Sequence, residues 1–450
     1  MQPTSAHAPA ALPLEGRDLR LGEMAPRLMG AGLVLAVLGL GIGCYMGLSG
    51  TESRRLFFHA YLTAFAYFLS ITLGALFFVM LQHLTRAGWS VTVRRLAEAL
   101  SGNVWLMLLL FVPVLRGVHE LYEWAGEHGA AASETAYLSP RAFAARFLVC
   151  FAVWGLLVWL LRSRSMRQDA TGDPRLTTSM ERISAPGMIA FAFTVLFVST
   201  DLLMSQTAHW TSTIFGLYFF TGCVLSSLVV LTLLALRLRS HGELHSAITI
   251  EHLHDLGKLI FGFVFFWGYI AFSQYMLIWY ANLPEETQFY MPRQIGPWIW
   301  VSIALVVCQL FVPFLGLLSR HAKRRPAVLA FWCVWLLVAH LLDLFWIIMP
   351  SVYIQEMPNA VHEAAGTPLP EVLRELLAGN QAVYQIAQEH GGFMQQVWLP
   401  LEGRTVGMLV ALVIGMAGLY MANTARLLQS APLVPVRDPR LPESLTFENV

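Results

Sequence analysis

Charge is scarce in this chain. Asp, Glu, Lys and Arg make up 13% of its 450 residues, about half the ~25% usual in soluble domains. Such a composition cannot cover the surface of an ordinary soluble globule. The near-even balance of 29 basic and 28 acidic residues also leaves no basic surface of the kind that nucleic acid requires, so no nucleic-acid partner is expected. Cysteine is rare as well. Cys44, Cys150, Cys223, Cys308 and Cys333 all fall inside apolar runs, without C-x-x-C, C-x-x-C-H or a partner at ligand spacing. That excludes an iron–sulfur ferredoxin motif and a covalent c-type haem within this chain, although a partner subunit could carry either; the five read as small buried hydrophobes, and no metal site is expected among them. No extended run of Gly and Pro interrupts the apolar windows, so the broken half-helices of many secondary transporters are not evident.

What the chain has is apolar length. Hydrophobic residues reach 56% and mean hydropathy is +0.59. About twenty apolar residues suffice to cross a hydrocarbon core of roughly 30 Å. Windows of that kind run over Leu28–Gly50, Leu56–Leu84, Leu96–Leu115, Ala142–Leu161, Pro186–Ser205, Ser212–Leu236, Leu259–Tyr280, Trp298–Leu318, Ala327–Met349 and Val406–Leu427. The spacing predicts an all-α integral membrane protein of about ten transmembrane helices. The sequence GIGC at Gly41–Cys44 invites a lipoprotein-signal reading, but the polar tail before it is long and the apolar run continues past the cysteine. Alternating the connections between sides places most Lys and Arg with the two termini, so both termini are expected to be cytoplasmic. The pair Arg54–Arg55 is the exception.

The fifth and ninth windows are matched in an internal comparison of halves: the fifth and the ninth helix each run outward and each carries one aspartate, Asp201 and Asp343, so the comparison pairs helices 2–5 with helices 6–9. The expected organisation is a tail over 1–27, a flanking helix over 28–55, four-helix bundles over 56–205 and 206–349, an extracytoplasmic segment over 350–404, a last flanking helix over 405–428 and a tail over 429–450. Within 350–404 the stretch Glu371–His390 has helix-like apolar spacing, which predicts short amphipathic helices forming a lid or docking surface. The tail from Ala431 onward has too many prolines for a helix and is expected to lie extended on the cytoplasmic surface.

The seventh window carries chemistry. Stepping at 3.6 residues through His252–Glu286 meets Asp255, Lys258, Gly262, Tyr269, Ser273 and Tyr280, with His254 beside them. From Lys258 to Ser273 the rise is roughly 22 Å at about 1.5 Å per residue. Titratable groups inside a membrane are costly and by default functional, so the stripe predicts a proton path into the membrane, continued by His340 and Asp343 on the ninth helix, with waters bridging Gly262 and Phe266. The alternative is a Lys258 that snorkels to the headgroups and tyrosines that pack.

Asp201 and Asp343 both fall in the outer third of the membrane, roughly 22 and 24 Å along their helices at about 1.5 Å per residue. His59, Arg116, His119 and Arg146 are possible neighbours of Asp201, near Tyr61, Trp154 and Trp210. A histidine, an aspartate and arginines at the edge of the hydrocarbon suit a quinol, whose hydroxyls need acceptors and whose oxidation releases protons. Arg116 and Arg141 also read as lipid-headgroup anchors, and His119 as a solvated residue. Bound haem would need axial histidines paired across helices, whereas His59 and His340 lie in different units.

Segments 57–89, 185–219 and 252–286, together with LLDLFW at 341–346, closely resemble the ActF-type membrane subunits of alternative complex III, a branch of the polysulfide-reductase (NrfD-type) family. HLHDLGK with His254, Asp255 and Lys258, the TD of Asp201 and the LDLFW of Asp343 match motifs of that family. The resemblance covers nearly all ten windows. It implies two four-helix bundles with flanking helices, no cofactor in the subunit itself, and membership of a quinol:cytochrome c (or other acceptor) oxidoreductase in the bacterial inner membrane, with proton translocation as a proposed role. It further implies a paralogous NrfD-like membrane subunit, an iron–sulfur subunit, c-type haem subunits and a terminal oxidase as partners, menaquinol or another quinol as reductant, and lipids around it. In that family the better-supported quinol site belongs to the paralogous subunit beside the iron–sulfur protein. The alternative to all this is a secondary transporter of a small polar solute or ion.

Overall fold

The computed structural model describes residues 19–49, 51–125, 137–207, 210–242, 244–354 and 397–449, with a few isolated positions between 355 and 396. Among the described residues there is no strand, and ten helices are long and apolar enough to cross a membrane. The chain is a multi-pass, all-helical membrane protein. The spans are α1 (Met24–Leu48), α2 (Thr51–Leu84), α3 (Val91–Arg116), α4 (Pro140–Thr171), α5 (Arg175–Leu202), α6 (Phe215–Ser240), α7 (Ile250–Ala281), α8 (Trp298–Leu318), α9 (Pro326–Ile348) and α10 (Gly403–Gln429). Each coincides with an apolar window of the sequence. Glu371–His390 lies outside the described residues, apart from isolated positions.

Local chemistry sets the ends. The Ser139 hydroxyl accepts from Ala142 N at 3.3 Å and Pro140 opens α4, since proline lacks only an N–H that a first turn leaves unpaired anyway. Gly172 closes the same helix at φ 69°, a conformation that costs a side-chain-bearing residue. Thr249 starts α7 with a capping box in which His252 replaces the usual acid: Thr249 N donates to His252 Nδ1 at 3.1 Å. Inside α8 the turn Val307–Phe311 is a π-helix. Pro313 has no N–H for the carbonyl of Gln309 and its ring would strike that carbonyl; widening the turn relieves both.

The central helix is α2, not the polar-striped α7. α2 is buried from Phe57 to Leu76 and packs on α3 and α5 of the preceding half, on α6 and α9 of the next, and on α1 and α10. Its hydroxyls are satisfied within the helix, Thr63 to His59 O at 2.9 Å and Thr72 to Phe68 O at 2.9 Å, so they sit in an apolar surround without orphaned donors. At Gly74 a Cβ would stand 1.9 Å from the Cys223 carbonyl. Helices attract one another in lipid by close packing rather than by hydrophobicity, so this small residue sets the α2–α6 approach. α1 runs along α10 by the same device, with Gly39 against Gly415, and continues through Cys44 to Leu48.

The first and last described segments meet at one end of the bundle, the terminal end, where Leu433 N donates to Leu19 O at 2.8 Å. The C-terminal tail is not simply extended. Residues Leu441–Leu445 form a short helix with Pro442 in its first turn, where proline is tolerated. This helix docks by Ser444, whose hydroxyl donates to Trp89 O at 2.7 Å and meets His252 Nε2 at 3.2 Å.

Candidate functional site

Two buried carboxylates lie toward the end opposite the termini, in different surroundings. Asp201, in the last turn of α5, is 1% exposed. Arg146 Nε donates to its Oδ2 at 2.6 Å and Tyr137 OH to its Oδ1 at 3.0 Å. The guanidinium also donates to Tyr137 O at 2.7 Å and stacks 3.8 Å from the centre of that ring. Charge, hydrogen bonds and cation–π contact therefore close one unit across α4, α5 and the segment before α4. Burial and the neighbouring Asp201 charge push the Tyr137 phenol up to about 12.

Of the residues proposed around Asp201, the structure brings in Arg146 alone. His59 is buried on α2, its Nδ1 2.9 Å from Arg55 O. Arg116 and His119 are exposed. Tyr61 donates to Leu110 O at 2.8 Å, Trp154 to Thr194 Oγ1 at 2.8 Å and Trp210 to Glu286 O at 3.0 Å, so these aromatics serve helix contacts. Tyr137 was missed because it precedes α4, outside every apolar window.

Asp343 on α9 is 2% exposed. Its Oδ1 accepts from Tyr218 OH on α6 and its Oδ2 from Trp267 Nε1 on α7 at 3.2 Å. Among the described residues no Lys or Arg forms an ion pair with it. One turn earlier His340 faces a different set: its Nε2 lies 2.9 Å from Ser70 Oγ on α2, and Ser70 Oγ lies 3.3 Å from Ser226 Oγ on α6. Its Nδ1 is buried without a hydrogen-bond partner among the described residues. Above them Arg293 is fully buried. It donates to Trp346 O at 3.0 Å, to Ile347 O at 2.7 Å and to Phe289 O, with Phe289 3.6 Å beneath its guanidinium. A cation on the last carbonyls of α9 offsets the negative end of that helix; burial still lowers its pKa to about 10. Arg293 reads in the sequence as one more loop charge.

The α7 stripe does not run inward, and the continuous path expected along it needs correction. Tyr269 is 57% exposed, and Lys258, Gly262 and Tyr280 are exposed as well, with Ser273 partly so. The face of α7 that meets the bundle is Leu256, Ile260, Val264, Trp267, Gln274 and Ile278. Residues 267 and 269 stand about 200° apart on a helix of 3.6 residues per turn. α7 therefore offers Asp343 an indole and turns its tyrosines to the outside.

At the terminal end of α7, Lys258 pairs with Asp255 and donates to Asn449 Oδ1 at 2.9 Å. His254 is buried beside them, and Glu251 holds Arg324. A second charged group there escaped sequence reading. Arg94, Arg95 and Glu98 on α3 are buried, with Arg94 bound to Asp438, Arg95 to Asp169 Oδ2 at 2.5 Å and Glu98 Oε1 accepting from Ser165 Oγ at 2.8 Å. Asp438 arrives from the tail, so no local spacing announces the cluster. Among the described residues no group of three His, Cys, Asp or Glu side chains is placed to hold a metal ion.

No protein-family model matches the chain, and no curated protein matches it.

Proposed function

We propose that this chain is an integral membrane subunit of a quinol-oxidising respiratory complex of the alternative complex III kind, in a bacterial inner membrane with both termini cytoplasmic. In that role it supports assembly with a paralogous membrane subunit, an iron–sulfur subunit and c-type haem subunits, and handles protons linked to quinol oxidation. The observation that carries the reading is Asp343. It is a deeply buried carboxylate held by two neutral donors, Tyr218 and Trp267, rather than by a cation. A buried acid of that kind is a place where a proton can be held, and intramembrane acids of this kind mark proton relays. Asp201 is its counterpart with the charge matched by Arg146, which suits a fixed structural or ligand-orienting role.

The sequence resemblance supplies the redox setting. Oxidation of a quinol gives up electrons and protons together, and the electrons leave through partner cofactors while the protons need acceptors in the membrane. The test is Asp343→Asn in the assembled complex. Electron transfer to the acceptor in detergent should persist, while protons moved per electron in sealed vesicles fall. An unchanged ratio with correct assembly would remove Asp343 from proton handling. Isolation of the chain without haem c or iron–sulfur polypeptides would remove the complex.

A further inference from the structure

At the end of the molecule that carries both termini, α5 begins with a cleft lined by Arg175, Thr178, Ser179 and Arg182. These positions are spaced three, four and seven residues apart, so they share one face of the helix. Arg164 of α4 reaches the same face, its Nε donating to Ser179 Oγ at 3.0 Å and its Nη1 to Leu160 O at 3.0 Å. Among the described residues no carboxylate forms an ion pair with Arg175, Arg182 or Arg164. The nearest acids in sequence are turned to other work: Glu181 holds Arg86 at 3.2 Å and Arg440 at 2.5 Å, and Asp173 caps Arg175 N at 2.9 Å.

The same face then changes character. Beyond Arg182 it continues through Ala185, Ile189 and Phe193, of which Ile189 is 63% and Phe193 60% exposed. Ala185 and Pro186 are exposed too, and their short side chains leave the passage from the basic turns to the apolar ones low. From Arg182 to Ile189 is roughly 10 Å at about 1.5 Å per residue, the step from a phosphate to the acyl region of a bilayer leaflet.

We propose that this face of α4 and α5 is a binding site for an anionic phospholipid. The phosphate sits among Arg164, Arg175 and Arg182 with the Thr178 and Ser179 hydroxyls as further donors, and an acyl chain lies along Ile189 and Phe193. Guanidinium groups match phosphate oxygens in paired hydrogen bonds, and basic pockets between helices at a leaflet surface take phospholipid headgroups. A free phosphate would use the arginines and leave the apolar half idle. A zwitterionic lipid would bring its own cation against three others.

The experiment uses the full chain purified in mild detergent within its native assembly. Thermal unfolding is followed with phosphatidylglycerol, diphosphatidylglycerol, phosphatidylcholine or inorganic phosphate added, and bound lipid is counted by mass spectrometry. The anionic lipids should raise the midpoint and remain bound, while phosphatidylcholine and phosphate should do neither. Arg175→Gln with Arg182→Gln should cut retained anionic lipid by roughly tenfold or more, since each basic residue at an anionic surface contributes about a factor of five; separately, Thr178→Glu at an exposed position, which sets a carboxylate beside the phosphate, should cut it by about fivefold. Stabilisation by phosphatidylcholine alike, stabilisation by inorganic phosphate alone, or lipid retention unchanged in either correctly assembled variant would overturn the site. So would protection of these arginines that depends on a partner polypeptide and not on lipid.

Discussion

Arg146 and Asp201 hold each other across α4 and α5, and neither has a second opposite charge among the described residues. Asp201→Asn keeps the shape and leaves Arg146 unmatched. Breaking a fully buried pair costs about 3–5 kcal/mol; because Arg146 retains 19% of its side-chain surface in contact with the surroundings, the expected loss is nearer 2–3 kcal/mol by the same reasoning. Thermal unfolding in detergent measures it, and Arg146→Gln added to Asp201→Asn should recover part of the loss. Arg293 is the sharper case. Lysine keeps the charge but cannot spread donors over Phe289, Trp346 and Ile347 carbonyls, so Arg293→Lys should destabilise by about 2–4 kcal/mol through buried groups left unpaired. A variant as stable as the parent would show that water replaces the fork. Neither Tyr137 nor Arg293 was legible as a site residue, because each lies in a connection and acquires its role only when distant helices arrive beside it.

Among elements, the docked tail makes the most specific claim. Asp438 neutralises Arg94 inside the α3 cluster, Arg440 meets Glu181 on α5, and Ser444 meets His252 on α7, so one short segment ties three spans together. Asp438→Asn should leave Arg94 with only the longer 3.8 Å contact to Glu98, cost about 2–4 kcal/mol as a broken buried pair, and render residues after Ser430 sensitive to limited proteolysis. Resistance equal to the parent would mean that Pro442, Leu441 and Phe447 packing holds the tail without the charge. The π-turn of α8 makes a second claim at this scale. Pro313→Ala restores an N–H for the Gln309 carbonyl, and since Gln309 is buried with both amide atoms unpartnered among the described residues, closing the turn should move Gln309 and stabilise α8 by about 1–3 kcal/mol, within the cost of an interior proline. Unaltered stability would show that packing of Leu310 against Gly268, not the proline, holds the turn open.

At the scale of the molecule, the ten spans among the described residues bring Leu19 and Leu433 together, so a single-cysteine label at Ser319 should share its sidedness with one at Ser430, and a label at Ser212 should report the opposite side. Labelling of Ser212 and Ser430 from the same side of sealed vesicles would refute that topology. The buried carboxylates Asp201 and Asp343 lie toward the Ser212 end, and the charged cluster of Arg94 and the mouth at Lys258 lie toward the Ser430 end. Between them runs α2, whose Ser70 touches His340. The polar contacts of His340 thus reach α2 and α6 rather than the outer face of α7.

Apolar length alone determined the ten helices that, among the described residues, are long and apolar enough to cross a membrane, since a backbone in hydrocarbon must satisfy its own hydrogen bonds and long apolar helices do so. Rare internal charges marked Asp201, Asp343 and Arg146 as candidates, because a carboxylate or guanidinium at that depth is costly without a partner, and the structure shows each of them hydrogen-bonded inside the bundle. Periodicity placed Tyr269 and Lys258 on one face of α7 correctly but could not say which way that face points. In a membrane the outside is as apolar as the inside, so a polar stripe does not reveal its orientation. Only the packing of α6, α7 and α9 decided that Trp267, and not Tyr269, meets Asp343, and only the return of the tail brought Asp438 to Arg94. Both depend on contacts between residues far apart in the chain, which no local spacing encodes.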